Sequence, residues 1–264
     1  MTFMKIILFF TSFVVFVSCS SNSLVQEQEF GQKDEEKKKE IWQWTYEGDK
    51  GPDNWASLNP QYEMCKSGKL QSPINLVWHK PTSPSPLTVS YKEGDATVTN
   101  AGYTFRLEMT PQSQIKINNQ EYLLEKIEFR TPSEHRLSGN ALPAELQFYH
   151  RSPNGLKQAI ISMFVIVGRE SEWFNSIWET AAKTPLYKTS STFRFNPSIL
   201  IPPRKTFYHY KGSLSHPPCL EGVQWIVFNT PLQLSKKQLS TLRSVYNNNN
   251  RPVQNINNRD VTNY

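Results

Sequence analysis

From Ile41 onward, short runs rich in β-branched and aromatic residues dominate the chain: Leu87 to Tyr91, Thr104 to Met109, Tyr122 to Phe129, Glu145 to His150, Ala159 to Val167 and Val223 to Phe228. Asn, Gly, Pro and Ser bound these runs, so the pattern predicts many short strands in a mainly antiparallel sheet. Two segments follow a helical period instead. Ser171 to Lys183 places Phe174, Ile177 and Trp178 on one face, and Ser235 is placed to cap a segment whose Leu239, Leu242, Val245 and Tyr246 form an apolar stripe. The expected class is mainly β, an α+β fold without internal repeats.

The first forty residues read differently. Residues 1–19 carry one lysine, Lys5, then an apolar stretch from Ile6 to Val17, then Ser18 and Cys19. This is the layout of a secretory signal, too short to span a bilayer comfortably. Cys19, flanked by Ser18 and Ser20, resembles a bacterial lipobox in which it would be lipidated and become the mature N-terminus; Phe16 departs from the usual leucine there. Plain cleavage nearby is the alternative. Both readings export the chain, to the cell envelope as a periplasmic or surface lipoprotein or into the medium. Residues 20–40 are polar and charged without apolar periodicity, which predicts a solvated tether, and residues 41–264 form the domain.

Composition narrows the options further. With 264 residues, 38% hydrophobic and 12% aromatic, the chain can bury one sizeable core. Its net charge of +6 comes from scattered basic residues rather than a stripe, which argues against nucleic-acid binding. If Cys19 is lipidated, Cys65 and Cys219 remain as an even pair in an oxidising compartment, and a disulfide between them would contribute about 5 kcal/mol in the chain-entropy model. Two separate buried thiols are the alternative.

Several motifs then occur in order: Trp44-Thr-Tyr46-Glu-Gly48, Gly51-Pro-Asp-Asn-Trp55, Gln71-Ser-Pro-Ile-Asn75, Pro132-Ser-Glu-His135, Gly212-Ser-Leu-Ser-His-Pro-Pro218, Val223-Gln-Trp-Ile-Val227 and Arg251-Pro-Val-Gln254. From about Trp42 to Arg259 the chain resembles the α-carbonic anhydrase family. The resemblance implies a large twisted, mostly antiparallel central sheet with peripheral helices, an active site in a conical cleft on the sheet, and a zinc lyase that hydrates CO2. It also implies that Cys65 and Cys219 pair, as in secreted bacterial members.

In that family two zinc-binding histidines alternate on one strand and a third lies on its neighbour. Here the first strand reads Lys126-Ile-Glu128-Phe-Arg130 and the second Glu145-Leu-Gln147-Phe-Tyr149, so the three ligand positions carry Glu128, Arg130 and Gln147. Strand alternation puts Lys126, Glu128 and Arg130 on one face, and Glu145, Gln147 and Tyr149 on one face. A guanidinium offers no lone pair and stays protonated. A divalent ion about 4 Å from it would be repelled by roughly 8 kcal/mol at an effective dielectric near 20, worth nearly six decades of affinity. The expectation is therefore no metal and no cofactor, with Arg130 paired to Glu128, and Glu145 and Glu134 sharing the charge.

Other positions follow from the resemblance. Glu134 and Ser215 match the pair that orients zinc-bound hydroxide, Tyr103 stands at the proton-shuttle position, and Tyr149, Ile160, Leu214 and Trp225 line the former CO2 pocket, with Tyr149 partly filling it. His135 and His150 match structural histidines, His79 and His209 lack ligand spacing, and His216 reaches the cleft. The reading is a carbonic anhydrase-like pseudoenzyme that works by binding. A small anion at Arg130 and Lys126, or a protein or polysaccharide on the surface, are its candidate partners. The alternative is an active enzyme with an unconventional metal site at Glu128 and His216.

Overall fold

Eleven strands build one sheet in the computed structural model, which describes residues 44–80 and 85–264. The expected signal segment with Cys19 and the tether lie outside the described residues. In chain order the strands are β1 (Leu87–Ser90), β2 (Gly94–Asn100), β3 (Phe105–Met109), β4 (Gln114–Ile117), β5 (Gln120–Arg130), β6 (Ala144–Arg151), β7 (Gln158–Val167), β8 (Phe193–Phe195), β9 (Phe207–Ser213), β10 (Glu221–Leu234) and β11 (Thr262–Asn263). They lie in the order β8-β2-β3-β5-β6-β7-β10-β9-β11, with β4 beside β5 and β1 beside β4. Only the β7–β10 pair runs parallel, so the sheet is mostly antiparallel as expected.

The central strands bury both faces, and alternation decides which side chain goes where. Ile127 and Phe129 of β5, Leu146 and Phe148 of β6, Ile161 and Met163 of β7, and Ile226 and Phe228 of β10 enter one large apolar core. Each such side chain contributes about 1.5–3 kcal/mol by leaving water. The helices α1 (Glu172–Lys183) and α2 (Lys236–Val245) supply Phe174, Ile177, Ala181, Leu239 and Leu242 to the same core. At α2, Ser235 and Gln238 form a reciprocal capping box, which fixes where the helix begins. Trp178 packs at the margin of the core rather than within it, and Val245 is exposed rather than part of the stripe.

A β-bulge at Glu125 reverses the alternation of β5, because the pairing with β6 slips between Leu124 and Lys126. Tyr122 and Leu124 face the helix-covered core before it, and Ile127 and Phe129 face it after. Lys126, Glu128 and Arg130 are thereby sent to the opposite face. On that face Ile160, Phe164, Tyr210, Leu214, Trp225 and Val227 form a second core. Tyr149 belongs to it as well. Trp44, Trp55, Tyr62 and Cys219 make a third, beside a Cys65–Cys219 disulfide that joins residues 154 apart in sequence.

Candidate functional site

Register gathers the polar side chains. Across four neighbouring strands, Arg106 of β3 lies opposite Glu128 of β5, Glu128 opposite Gln147 of β6, and Gln147 opposite Ser162 of β7. The next rows set Arg130 opposite Glu145, and Lys126 opposite Tyr149. Residues directly opposite in an antiparallel pair share a face within side-chain reach, so one patch of sheet collects six charged or amide groups.

Arg130 is at the centre and has no solvent exposure. Its Nη2 donates to Glu128 Oε2 at 2.7 Å and to the Tyr149 hydroxyl at 3.0 Å, and its Nη1 donates to the carbonyl of Phe129 at 3.1 Å. Its Nε faces Glu134 Oε1 at 3.5 Å. The other oxygen of Glu128 accepts from Lys126 Nζ at 2.7 Å and from Arg106 Nε at 3.0 Å. Burial alone would raise the Glu128 carboxyl, but Lys126, Arg130 and Arg106 outweigh it and hold this group well below the usual carboxylate range. Glu134, by contrast, is raised by burial.

Gln147 bridges two carboxylates through one nitrogen, donating to Glu134 Oε2 at 2.7 Å and Glu145 Oε1 at 3.0 Å, while its oxygen accepts from the Tyr149 hydroxyl at 2.8 Å. The expectation that Glu145 shares the charge of Arg130 is corrected here. Although it lies opposite Arg130, its oxygens are taken by the His135 backbone N–H at 2.9 Å, the His135 ring at 2.9 Å, the Ser162 hydroxyl at 2.6 Å and Gln147. Burial opposes its charge, yet His135 and these donors lower its pKa to about 2. His135 closes the chain through the Tyr210 hydroxyl at 2.7 Å.

The remaining expected residues fall around this centre. Ser215 is near enough to Glu134 to favour its charge, but its Oγ completes no hydrogen bond of ordinary geometry. Tyr103 accepts at its hydroxyl from Arg106 Nη2 at 2.9 Å and packs against Trp44, the ring centroids 5.0 Å apart. His216 stacks on Trp44 and lies beside Tyr149, and burial followed by the Lys126 charge lowers its pKa to about 3. Tyr149, Ile160, Leu214 and Trp225 share one buried cluster. Tyr149 is more than apolar filling there, since its hydroxyl ties Arg130 to Gln147. His150 lies on the opposite face, with Nε2 2.7 Å from the Tyr91 hydroxyl, and His209 bonds Gln224 while His79 is exposed.

Glu128, Arg130, Gln147 and Ser215 are fully shut off from solvent, so the open cleft implied by the resemblance is closed at its floor. Trp44, Tyr46 and Tyr103 pack as a group of rings over Arg130, which lies 6.0 Å from the Tyr46 ring centroid. Sequence reasoning missed Tyr46 and Arg106 as site residues. The only signal for Arg106 was its polar position between Phe105 and Leu107, and assigning it to Glu128 needs the register of β3 against β5. Among the described residues, no group of three or more His, Cys, Asp or Glu is arranged to hold a metal ion.

Comparison with known proteins bears directly on this arrangement. Residues 50–264 match the sequence model described as eukaryotic-type carbonic anhydrase. The carbonic anhydrase of Klebsiella pneumoniae is 34% identical over 221 residues, covering 83% of this chain and 89% of the relative. The solved α-carbonic anhydrase of Thermovibrio ammonificans, in complex with the inhibitor sulfanilamide, superposes with a TM-score of 0.79 at 35% identity, over 83% of this chain and 98% of that one. A dioscorin complexed with ascorbate gives 0.74 at 28% identity, over 84% and 97%. The chain belongs to the α-carbonic anhydrase family.

Proposed function

We propose that this protein has given up zinc and CO2 hydration and acts at the cell envelope as a metal-free binding member of its family. The family normally uses zinc, held by neutral nitrogens that leave one position open for a water. The residues at the corresponding place do not fit that ion. Arg130 is a fixed cation, both oxygens of Glu128 are occupied by cations, and Gln147 spends its amide on Glu134, Glu145 and Tyr149. The observation that carries the reading is the 2.7 Å contact between Arg130 and Glu128, two buried charges that neutralise each other at positions the resemblance assigns to zinc ligands.

An enzyme working through Glu128 and His216 draws on one feature, the unpartnered Nε2 of His216. That imidazole would have to compete with three cations for Glu128, which weighs against it. Export is supported by the Cys65–Cys219 disulfide, a bond that persists in oxidising compartments. Among the described residues no helix is long and apolar enough to cross a membrane. Attachment through lipid on Cys19, read from the sequence around it, is part of the same proposal. Stopped-flow CO2 hydration by the purified domain with added zinc tests the reading. The uncatalysed rate is expected, and sulfonamide-sensitive turnover would contradict it.

A further inference from the structure

Two adjoining cavities lie away from the Arg130 centre. The larger, of about 420 Å³, is bounded by residues 46–54 on one side and by Asn248, Asn250 and Pro252 on the other. The smaller, of about 170 Å³, is lined by Ala56, Cys65, Lys66 and Gln254. Pro52, Asp53 and Pro252 line both, so the two form one groove. The larger cavity alone is of the size that holds a small organic molecule. Its walls are fixed before any ligand arrives. Asn248 Nδ2 donates to Glu47 Oε1 at 2.7 Å and ties one wall to the other. The buried Trp55 anchors the first wall by donating to the carbonyl of Thr45 at 2.8 Å. Arg251 anchors the second through Gln71, Ser72 and Cys65, and its guanidinium lies 5.6 Å from the Trp55 ring centroid.

The side chains left over define the ligand. Asp53, Asn54 and Asn250 make no side-chain hydrogen bond among the described residues, although Asn250 is half-buried. An amide both donates and accepts, and a carboxylate accepts at two oxygens, so these planar groups match neighbouring hydroxyls that also give and take. Tyr46 adds an aromatic side, and Pro52, Pro132 and Pro252 add apolar surface for carbon-bound hydrogens. No lysine or arginine lines the larger cavity, whereas Glu47 and Asp53 do, which disfavours an anion there. Among the described residues no three His, Cys, Asp or Glu are grouped to hold a metal ion, which disfavours a divalent cation.

We infer that this groove binds a neutral saccharide chain, with one sugar ring in the larger cavity held by Asp53, Asn54 and Asn250 and the next crossing Asp53 into the smaller. The inference gives the binding role proposed above a ligand class, at a site other than the Arg130 centre. Zinc content decides that role and sugar binding decides this one.

The test is isothermal titration calorimetry of the full mature protein, with zinc content measured on the same sample. Cellotriose, maltotriose and triacetylchitotriose are the probes, with glucose and N-acetylglucosamine as their single units, and chondroitin sulfate and calcium chloride represent the competing chemistries. At least one trisaccharide should bind saturably in the millimolar range or below, about tenfold tighter than its own single unit, because a second ring adds contacts in the smaller cavity. Asn250→Ala should weaken that trisaccharide about fivefold to tenfold. It should leave the Tm in place, since the side chain bonds nothing else in the protein. Asp53→Ala should remove most of the advantage of the trisaccharide over the single unit. The Tm of each variant confirms that it folds. Absence of saturable binding by every trisaccharide, or binding that both variants leave unchanged, would overturn the inference. Calcium or chondroitin sulfate binding more tightly than every sugar would overturn it as well. Stoichiometric zinc would overturn the metal-free reading instead, whatever the sugars do.

Discussion

Glu128 and Glu145 sit on one face of one sheet, two strands of the same ladder, both without solvent exposure, and they are neutralised in different ways. Glu145 is saturated by hydrogen bonds from His135, Ser162 and Gln147, so its surroundings close on themselves. Glu128 is held by three cations and leaves Arg130 Nε without a hydrogen bond. Glu145 therefore belongs to the scaffold, a buried acceptor with local donors, and needs nothing further. Glu128 belongs to a network of ion pairs, in which Arg106, Lys126 and Arg130 share it while Glu108 also faces Arg106 and Glu134 also faces Arg130.

The comparison can be broken at several points. Removing the disulfide by Cys65→Ser with Cys219→Ser acts on the frame of both regions, and with the two positions 154 apart in sequence it should lower stability by about 5 kcal/mol in urea unfolding. Glu128→Gln leaves Arg130 buried without its counter-charge and should lower stability by about 3–5 kcal/mol. Arg130→Met should do less, about 1–3 kcal/mol, because Glu128 keeps Lys126 and Arg106. If Arg130→Met proves the more harmful, the centre is not cation-rich. Ser215→Ala should change stability by less than about 0.5 kcal/mol, since its Oγ completes no bond.

Acid separates the regions on a pH axis. His150, through burial, and His216, through burial and then Lys126, are both lowered to about 3, against about 6.5 in an unfolded chain. Their depressed values mean that the unfolded state binds more protons below about pH 6.5, so the stability they contribute is present above that pH and is lost on the way down to 3. His209, also lowered by burial, adds in the same direction. Glu145, lowered to about 2, keeps its contribution until the pH falls below about 4.5 and loses it toward 2. Chemical unfolding at a series of pH values should show a decline starting near 6 that steepens below about 4.5. His216→Gln should reduce the first slope by up to about 1.4 kcal/mol per pH unit.

Much of this was legible in the chain. The strands at Tyr122 to Phe129, Glu145 to His150 and Ala159 to Val167 announced themselves by β-branched and aromatic content, and Ser235 announced α2 by its cap. Strand alternation set Glu128 beside Arg130 on one face, and the resemblance to the family set Gln147 with them. What stayed hidden depends on pairing between distant segments. Gly94–Asn100 is polar enough to read as a loop and becomes a strand because β3 and β8 flank it. Arg106 reaches Glu128 only through the β3–β5 register, and Glu145 turns away from Arg130 because His135 and Ser162 offer it better donors. Period-two patterns reveal which face a side chain takes, and not which neighbour it finds there.

The zinc content of the natively purified protein tests the central claim most directly. The account predicts only traces, unchanged by incubation with zinc followed by buffer exchange, and a rise toward one equivalent when Glu128, Arg130 and Gln147 are all replaced by histidine. One tightly held zinc in the unaltered protein, lost on substitution of Glu128 or His216, would contradict it.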